Sequence, residues 1–65
     1  MIRLLKLNGS DFVLNAELIE TVEATPDTVI TTTNGKKLVV KDSIEEVIEK
    51  VIEYKKKIQL INRID

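Results

Sequence analysis

Hydrophobic and polar residues are arranged differently in the two halves of this 65-residue chain. Residues 1–41 contain short apolar runs separated by Asn, Gly, Pro and Asp, which is typical of strands joined by turns. Residues 43–65 contain no Gly or Pro, and their apolar residues recur at spacings of three and four, which is typical of a helix. The pattern therefore predicts an α+β protein with its strands first and one helix last.

The first half of the chain predicts five short strands. Residues 28–33 are rich in Thr and Val, which favour strands, and both of their faces have middling polarity. That polarity suits a curved sheet whose outer face is partly covered. Residues 2–41 are therefore expected to form one curved antiparallel sheet. Its strands are predicted at about residues 2–7, 11–14, 19–24, 28–33 and 36–41.

Turn residues mark the boundaries between these strands. Asn8-Gly9 and Asn34-Gly35 are strong hairpin signals because Asn and Gly both tolerate positive φ. Pro26 fixes φ at the second position of a turn, and Asn15 is a good N-cap for one helical turn that reverses the chain. We interpret these residues as structural, together with Ser43 at the start of the helix.

The second half predicts a single helix over about residues 43–63. Ser43 and Glu46 have the spacing of a capping box, and Asp42 with Glu45 is a shifted alternative. Acidic residues early and lysines late complement the helix dipole. Glu46 and Lys50 have the i,i+4 spacing of a favourable ion pair. The apolar residues follow a heptad seam. The seam consists of Ile44, Val47, Val51, Tyr54, Ile58 and Ile61, with Ile48 and Ile52 beside it.

This helix is longer than one small sheet can cover. Its first half, including Ile48, is expected to pack on the sheet as part of the core. The later apolar residues run past the sheet, which predicts burial against another chain and a homo-oligomer. Lys55, Lys56 and Lys57 form a candidate electrostatic contact, although such a turn is more often a solvated helix face. The candidate oligomer or partner interface comprises Tyr54, Ile58, Leu60, Ile61 and Ile64.

The composition is that of one small folded domain spanning residues 1–65. With 43% hydrophobic residues, 32% charged residues and a net charge of -1, the chain is too apolar for disorder. Cys and His are absent, so neither a disulfide nor a thiolate metal site can stabilise the fold, which again favours self-association. The sequence predicts no transmembrane segment and no signal peptide, so the protein is expected in the cytoplasm.

No residue pattern in the chain points to catalysis, a cofactor or a metal. Glu17, Glu20 and Glu23 are most simply solvated surface charges, and Ser10 and Ser43 occupy turn and cap positions. The two glycines cannot form a phosphate-binding loop, and the carboxylates lack the spacing of a calcium loop. We therefore expect neither an enzyme nor a small-molecule substrate.

Several segments, taken in order, resemble the family of small flagellar and swarming motility proteins called FlbD or SwrD. The similarity extends over about residues 1–58, nearly the whole chain in one register, and residues 58–65 look like a variable tail. The segments that carry it are Leu7-Asn8-Gly9, Leu14 to Glu20, Thr25 to Thr31, Asn34 to Lys37, Val39 to Lys41 and Ser43 to Tyr54.

The resemblance implies a cytoplasmic bacterial protein that supports swarming motility and flagellar motor power through protein–protein contacts. Its partners would be the motor or its stator proteins, at the inner membrane, and the family offers no catalytic residues to transfer. Two alternatives stay open. One is a small RNA- or DNA-binding regulatory module, against which the negative net charge and the scarcity of aromatic residues argue. The other is a purely structural oligomerisation module.

Overall fold

The computed structural model describes residues 1–63, with side chains described as far as Leu60. It confirms the α+β class, because five antiparallel strands precede one long helix. A single 3-10 turn stands between the second and third strands, where one helical turn was predicted. The elements are β1 (Ile2–Leu5), β2 (Asp11–Leu14), the 3-10 turn (Ala16–Leu18), β3 (Ile19–Ala24), β4 (Thr28–Thr32), β5 (Lys37–Val40) and α1 (Ile44–Arg63).

The prediction of one continuous sheet is wrong, because the strands form two small sheets. β1 pairs with β2, and β3, β4 and β5 form a separate antiparallel sheet in that order. The 3-10 turn after β2 redirects the chain, so β3 begins opposite β4 rather than beside β2. Backbone hydrogen bonding joins the sheets where Lys6 bridges Val40 and the Lys41 amide donates to the Leu5 carbonyl at 2.8 Å.

Both predicted Asn-Gly hairpins form, and they share one geometry. In the first, the Gly9 amide donates to the Lys6 carbonyl at 3.0 Å and the Lys6 amide donates to the Ser10 carbonyl at 2.8 Å. The second has the same pair of bonds between Gly35 and Thr32 and between Thr32 and Lys36. Among the described residues, positive φ occurs only at the glycines. Together with these hydrogen bonds, it identifies each turn as a three-residue hairpin loop with a glycine bulge.

Gly35 therefore gives a direct test of turn chemistry. Its φ is +85°, and an added Cβ would meet nothing within 4 Å, so Gly35→Ala would be strained by the backbone alone. We expect this substitution to lower the free energy of unfolding by about 1–2 kcal/mol. Gly35→Asn should cost less, because Asn visits the left-handed region more readily. Urea titration of the two variants would measure this, and an unchanged stability of Gly35→Ala would contradict the assigned turn.

The core lies where α1 crosses the two sheets. Leu4, Ile30, Val40 and Val47 are fully buried, and they bring together β1, β4, β5 and α1. α1 packs against β1 and β3. Further apolar side chains complete the core. They are Ile2 and Ala16, which are buried, and Phe12, Leu14, Ile19, Val22, Leu38, Val51 and Tyr54, which are partly buried.

The start of α1 has the predicted capping box. The Ser43 hydroxyl accepts a hydrogen bond from the Glu46 amide at 3.1 Å, and the Glu46 carboxylate accepts one from the Ser43 amide at 2.9 Å. The prediction that Ile48 belongs to the core is wrong, because its side chain is 49% exposed. The contact of α1 with β1 and β3 covers the side of the helix that carries Val47 and leaves Ile48 at the edge of this contact.

A candidate contact site between the two hairpins

An open, largely apolar cleft of about 660 Å³ lies between the tips of the two Asn-Gly hairpins. We call it the hairpin cleft. The first hairpin and the 3-10 turn form one wall, and the second hairpin with β5 forms the other. Its lining residues are Lys6, Leu7, Asn8, Phe12, Leu14, Leu18, Thr32, Asn34, Lys36, Lys37, Leu38 and Val39.

The walls of the hairpin cleft combine a firm base with an exposed apolar rim. Phe12 and Leu38 are half-buried and pack against the core, so the base belongs to the folded domain. Leu7, Leu18 and Val39 stand at the rim with 51%, 42% and 40% of their surface exposed. Contiguous apolar surface of this kind marks a place where a protein meets a partner or ligand.

The turns hold the rim residues in fixed positions. The Asn8 side-chain oxygen accepts hydrogen bonds from the Ser10 amide at 3.0 Å and from the Ser10 hydroxyl at 2.7 Å. In the second turn the buried Thr32 hydroxyl donates to the Asn34 side-chain oxygen and accepts from the Lys36 amide at 3.2 Å. Asn8 and Asn34 thus contribute side-chain hydrogen bonds to their turns, and positive φ falls on Gly9 and Gly35 instead.

The charge at the hairpin cleft is of one sign. Lys6, Lys36 and Lys37 are exposed among the lining residues, which include no Asp or Glu. The Lys6 ammonium lies 5.7 Å from the centre of the Phe12 ring, within the range of a cation–π contact. The cleft therefore presents an apolar base under a positive rim, and it suits a partner surface that is apolar and acidic.

A polar network outside the hairpin cleft ties the sheets to the helix. Asp42 is 5% exposed, and its carboxylate accepts hydrogen bonds from the Leu5 amide at 2.8 Å and from the Lys50 ammonium at 2.7 Å. Lys50 also donates to the Arg3 carbonyl at 2.6 Å. The predicted pairing of Lys50 with Glu46 is therefore wrong, because Asp42 offers Lys50 a buried carboxylate while Glu46 caps the helix.

Burial alone would raise the pKa of the Asp42 carboxyl. The hydrogen bonds from Leu5 and Lys50, together with the positive charge of Lys50, outweigh that effect and lower the pKa below its usual value. Asp42 therefore stays ionised in the folded protein at neutral pH. The network holds β1, the segment after β5 and α1 together.

The residues predicted as a helix interface are spread along α1. Tyr54 is half-buried against the core and Ile58 is half-buried, whereas Leu60 is 61% exposed. The Ile61 side chain and Ile64 lie outside the described residues. Lys55, Lys56 and Lys57 are all exposed, as a solvated helix face or an electrostatic contact requires.

The residues considered for chemistry do not assemble into a site. Glu17, Glu20 and Glu23 are exposed, and the hydroxyls of Ser10 and Ser43 bond within their own turn and cap. Within residues 1–63, no three His, Cys, Asp or Glu side chains come together as a metal site. Pro26 lies in the predicted turn between β3 and β4, after a cis peptide bond.

Sequence reasoning missed the hairpin cleft and the Asp42–Lys50 pair. A signal for the cleft was present, because each Asn-Gly turn is flanked by lysine and leucine, in Lys6-Leu7 and in Lys36-Lys37-Leu38. What the sequence did not show is that the two tips lie side by side.

The fold defines a small α+β protein, and the open apolar hairpin cleft is its candidate contact site. Comparison with protein families matches residues 1–59 to FlbD, described as flagellar and swarming motility proteins. The chain belongs to the FlbD family, as the resemblance predicted. Comparison with curated proteins and with solved structures gave no match. Within residues 1–63, no helix combines the length and hydropathy needed to cross a membrane.

Proposed function

We propose that this protein supports swarming motility and flagellar motor output by binding other protein surfaces, without catalysing a reaction. Its family gives the process, flagellar and swarming motility. The observation that carries the mode of action is the hairpin cleft, whose exposed apolar rim and three lysines suit protein contact.

The shape of the cleft favours a protein surface over a small molecule. Small-molecule pockets bury about 70–90% of their ligand and are usually enclosed. The hairpin cleft is more open than enclosed, and its Asn8, Thr32 and Asn34 side chains are hydrogen-bonded within their own turns. Phe12 offers no free ring face for base stacking on the side that Lys6 covers, which weighs against a nucleic-acid module.

The proposal places the protein in the cytoplasm, in contact with the motor or stator proteins at the inner membrane. Self-association is part of it, because a 65-residue chain without Cys or His has few other means of gaining stability. The later part of α1, with exposed Leu60 and the three lysines from Lys55 to Lys57, is a second candidate contact surface for a protein or an anionic lipid.

Deletion of the gene in its motile host tests this proposal. We expect cells that still assemble flagella in normal number but swim more slowly and swarm poorly, because motor output and not assembly is reduced. Flagella would be counted by fluorescent labelling, and swimming speed and swarm expansion would be measured separately. Expression of the intact chain should restore both. Unchanged swimming and swarming in a flagellated host would contradict the motility role.

A further inference from the structure

The first half of α1 carries an apolar face that its own sheets leave uncovered. Ile48 is 49% exposed and Ile52 is 47% exposed, one helical turn apart. Glu45 and Glu49 are exposed beside them, and all four are neighbours at spacings of three and four on the helix surface. We call this surface the helix face. It ends where Lys55 begins the next turn.

The helix face and the hairpin cleft are complementary in charge, and both carry exposed apolar side chains. The cleft is apolar with three lysines and no carboxylate in its lining. The helix face has two isoleucines flanked by two glutamates. We infer that the hairpin cleft binds the helix face of a second copy of this chain, with Lys36 and Lys37 opposite Glu45 and Glu49. This inference rests on the proposed contact function and names one partner for its site.

The hairpin cleft and the helix face share no residue. One copy can therefore bind the helix of a second copy in its cleft while its own helix face binds in the cleft of another. Such an arrangement permits a dimer with two reciprocal contacts, a ring or a longer chain. In each case the rim residues Leu7, Leu18 and Val39 would be covered together with Ile48 and Ile52. The exposed apolar residues of the hairpin cleft and of the helix face would then have one explanation.

Charge reversal on each side, followed by mixing, tests the contact. One variant carries Lys36→Glu with Lys37→Glu, and the other carries Glu45→Lys with Glu49→Lys. All four positions are exposed, so both variants should fold, which circular dichroism would check. Light scattering over a concentration series would give the mass of each protein alone and of the equimolar mixture. Lys41→Glu, at an exposed lysine outside the cleft lining, is the control for a single charge reversal.

We expect the wild-type mass to rise with concentration. Each charge-reversed variant alone should remain monomeric, with its dissociation constant raised by about a hundredfold or more, because like charges would face each other. The mixture should regain the larger mass, since opposite charges then meet at both contacts, and Lys41→Glu should behave as wild type.

Three results would overturn the inference. They are a wild type that is monomeric throughout, variants that associate like wild type, and a mixture that stays monomeric. An oligomer dispersed by Ile58→Glu but unaffected by both charge-reversed variants would place the interface on the later part of α1. Motility is measured separately. If the light-scattering test fails but deletion of the gene still reduces swarming, the self-contact is wrong and the proposed function stands.

Discussion

Asp42→Ala is expected to lower the free energy of unfolding by about 3 kcal/mol. The substitution leaves the Leu5 amide without its acceptor and the Lys50 ammonium without its carboxylate, close to a buried junction. Removing one partner of a buried pair costs about 3–5 kcal/mol, and the lower end applies because the Lys50 side chain is 37% exposed. Native domains are stable by only about 0.05–0.15 kcal/mol per residue. For a chain of 65 residues, the expected loss is therefore a large share of the total free energy of unfolding.

The same carboxylate gives a signature in the pH dependence of stability. The pKa of Asp42 is lowered in the folded protein relative to an unfolded value of about 3.9. Its contribution is therefore complete above about pH 5 and is lost as the pH falls through the unfolded value towards the folded pKa. The stability difference between wild type and Asp42→Asn should consequently be largest near neutral pH and should shrink on acidification.

Asp11→Asn is the matched control for this prediction. The Asp11 carboxylate oxygen Oδ2 lies 3.8 Å from Nη1 of the Arg3 guanidinium, but both side chains are largely exposed. This ion pair should therefore contribute little to stability. Urea unfolding at several pH values would compare the variants. Equal stability of Asp42→Ala, Asp11→Asn and wild type at neutral pH would show that the Asp42–Lys50 network does not hold the sheets to the helix.

The helix, the hairpins and the strand positions could be predicted because each depends on residues that are close in sequence. The capping box needs only Ser43 and Glu46, and each hairpin needs one Asn-Gly pair between apolar segments. The predicted helix, at about 43–63, differs by one residue from the observed Ile44–Arg63. The predicted strands at 2–7 and 36–41 were somewhat longer than β1 and β5, because the turns take the outer residues.

The division into two sheets could not be read from the strands themselves. It follows from the 3-10 turn, where the Asn15 side chain accepts a hydrogen bond from the Glu17 amide and the chain then leaves the first sheet. The exposure of Ile48 follows in turn, since α1 contacts β1 and β3 and no broad sheet lies under it. The turn itself was predicted, but the direction in which it sends the chain, and hence the packing of α1 on the sheets, was not.

The candidate site was the least predictable part for the same reason. Lys6 on one wall and Lys36 on the other are about 30 positions apart, and contacts between distant segments bring the walls together, among them the bridge between Lys6 and Val40. Lys50 was assigned to Glu46, four residues away, but its partner is Asp42, which precedes the helix. The later part of α1 was predicted as an interface from its apolar seam, and this stays a prediction.

Leu7→Asp is expected to abolish most of the protein's ability to restore swarming to a deletion strain. Leu7 stands at the rim of the hairpin cleft, half exposed, beside Lys6. A carboxylate at this position would remove apolar contact surface and place negative charge where an acidic partner must approach. The fold should tolerate it, because Leu7 lies in an exposed turn and is not part of the core.

Val13→Asp provides the matched control on the same hairpin. Val13 is 56% exposed, similar to the 51% of Leu7, but it lies on β2 outside the lining of the cleft. Both substitutions replace an exposed apolar side chain by a carboxylate. Any general effect of the added charge or of lost surface hydrophobicity on folding and solubility should therefore be common to both variants.

The most direct test of contact through the hairpin cleft is the swarm expansion rate of a deletion strain expressing each variant at equal protein level. We expect Val13→Asp to restore swarming close to the wild-type rate and Leu7→Asp to leave it near that of the deletion strain. Equal restoration by both variants would contradict the claim that the protein acts through this cleft.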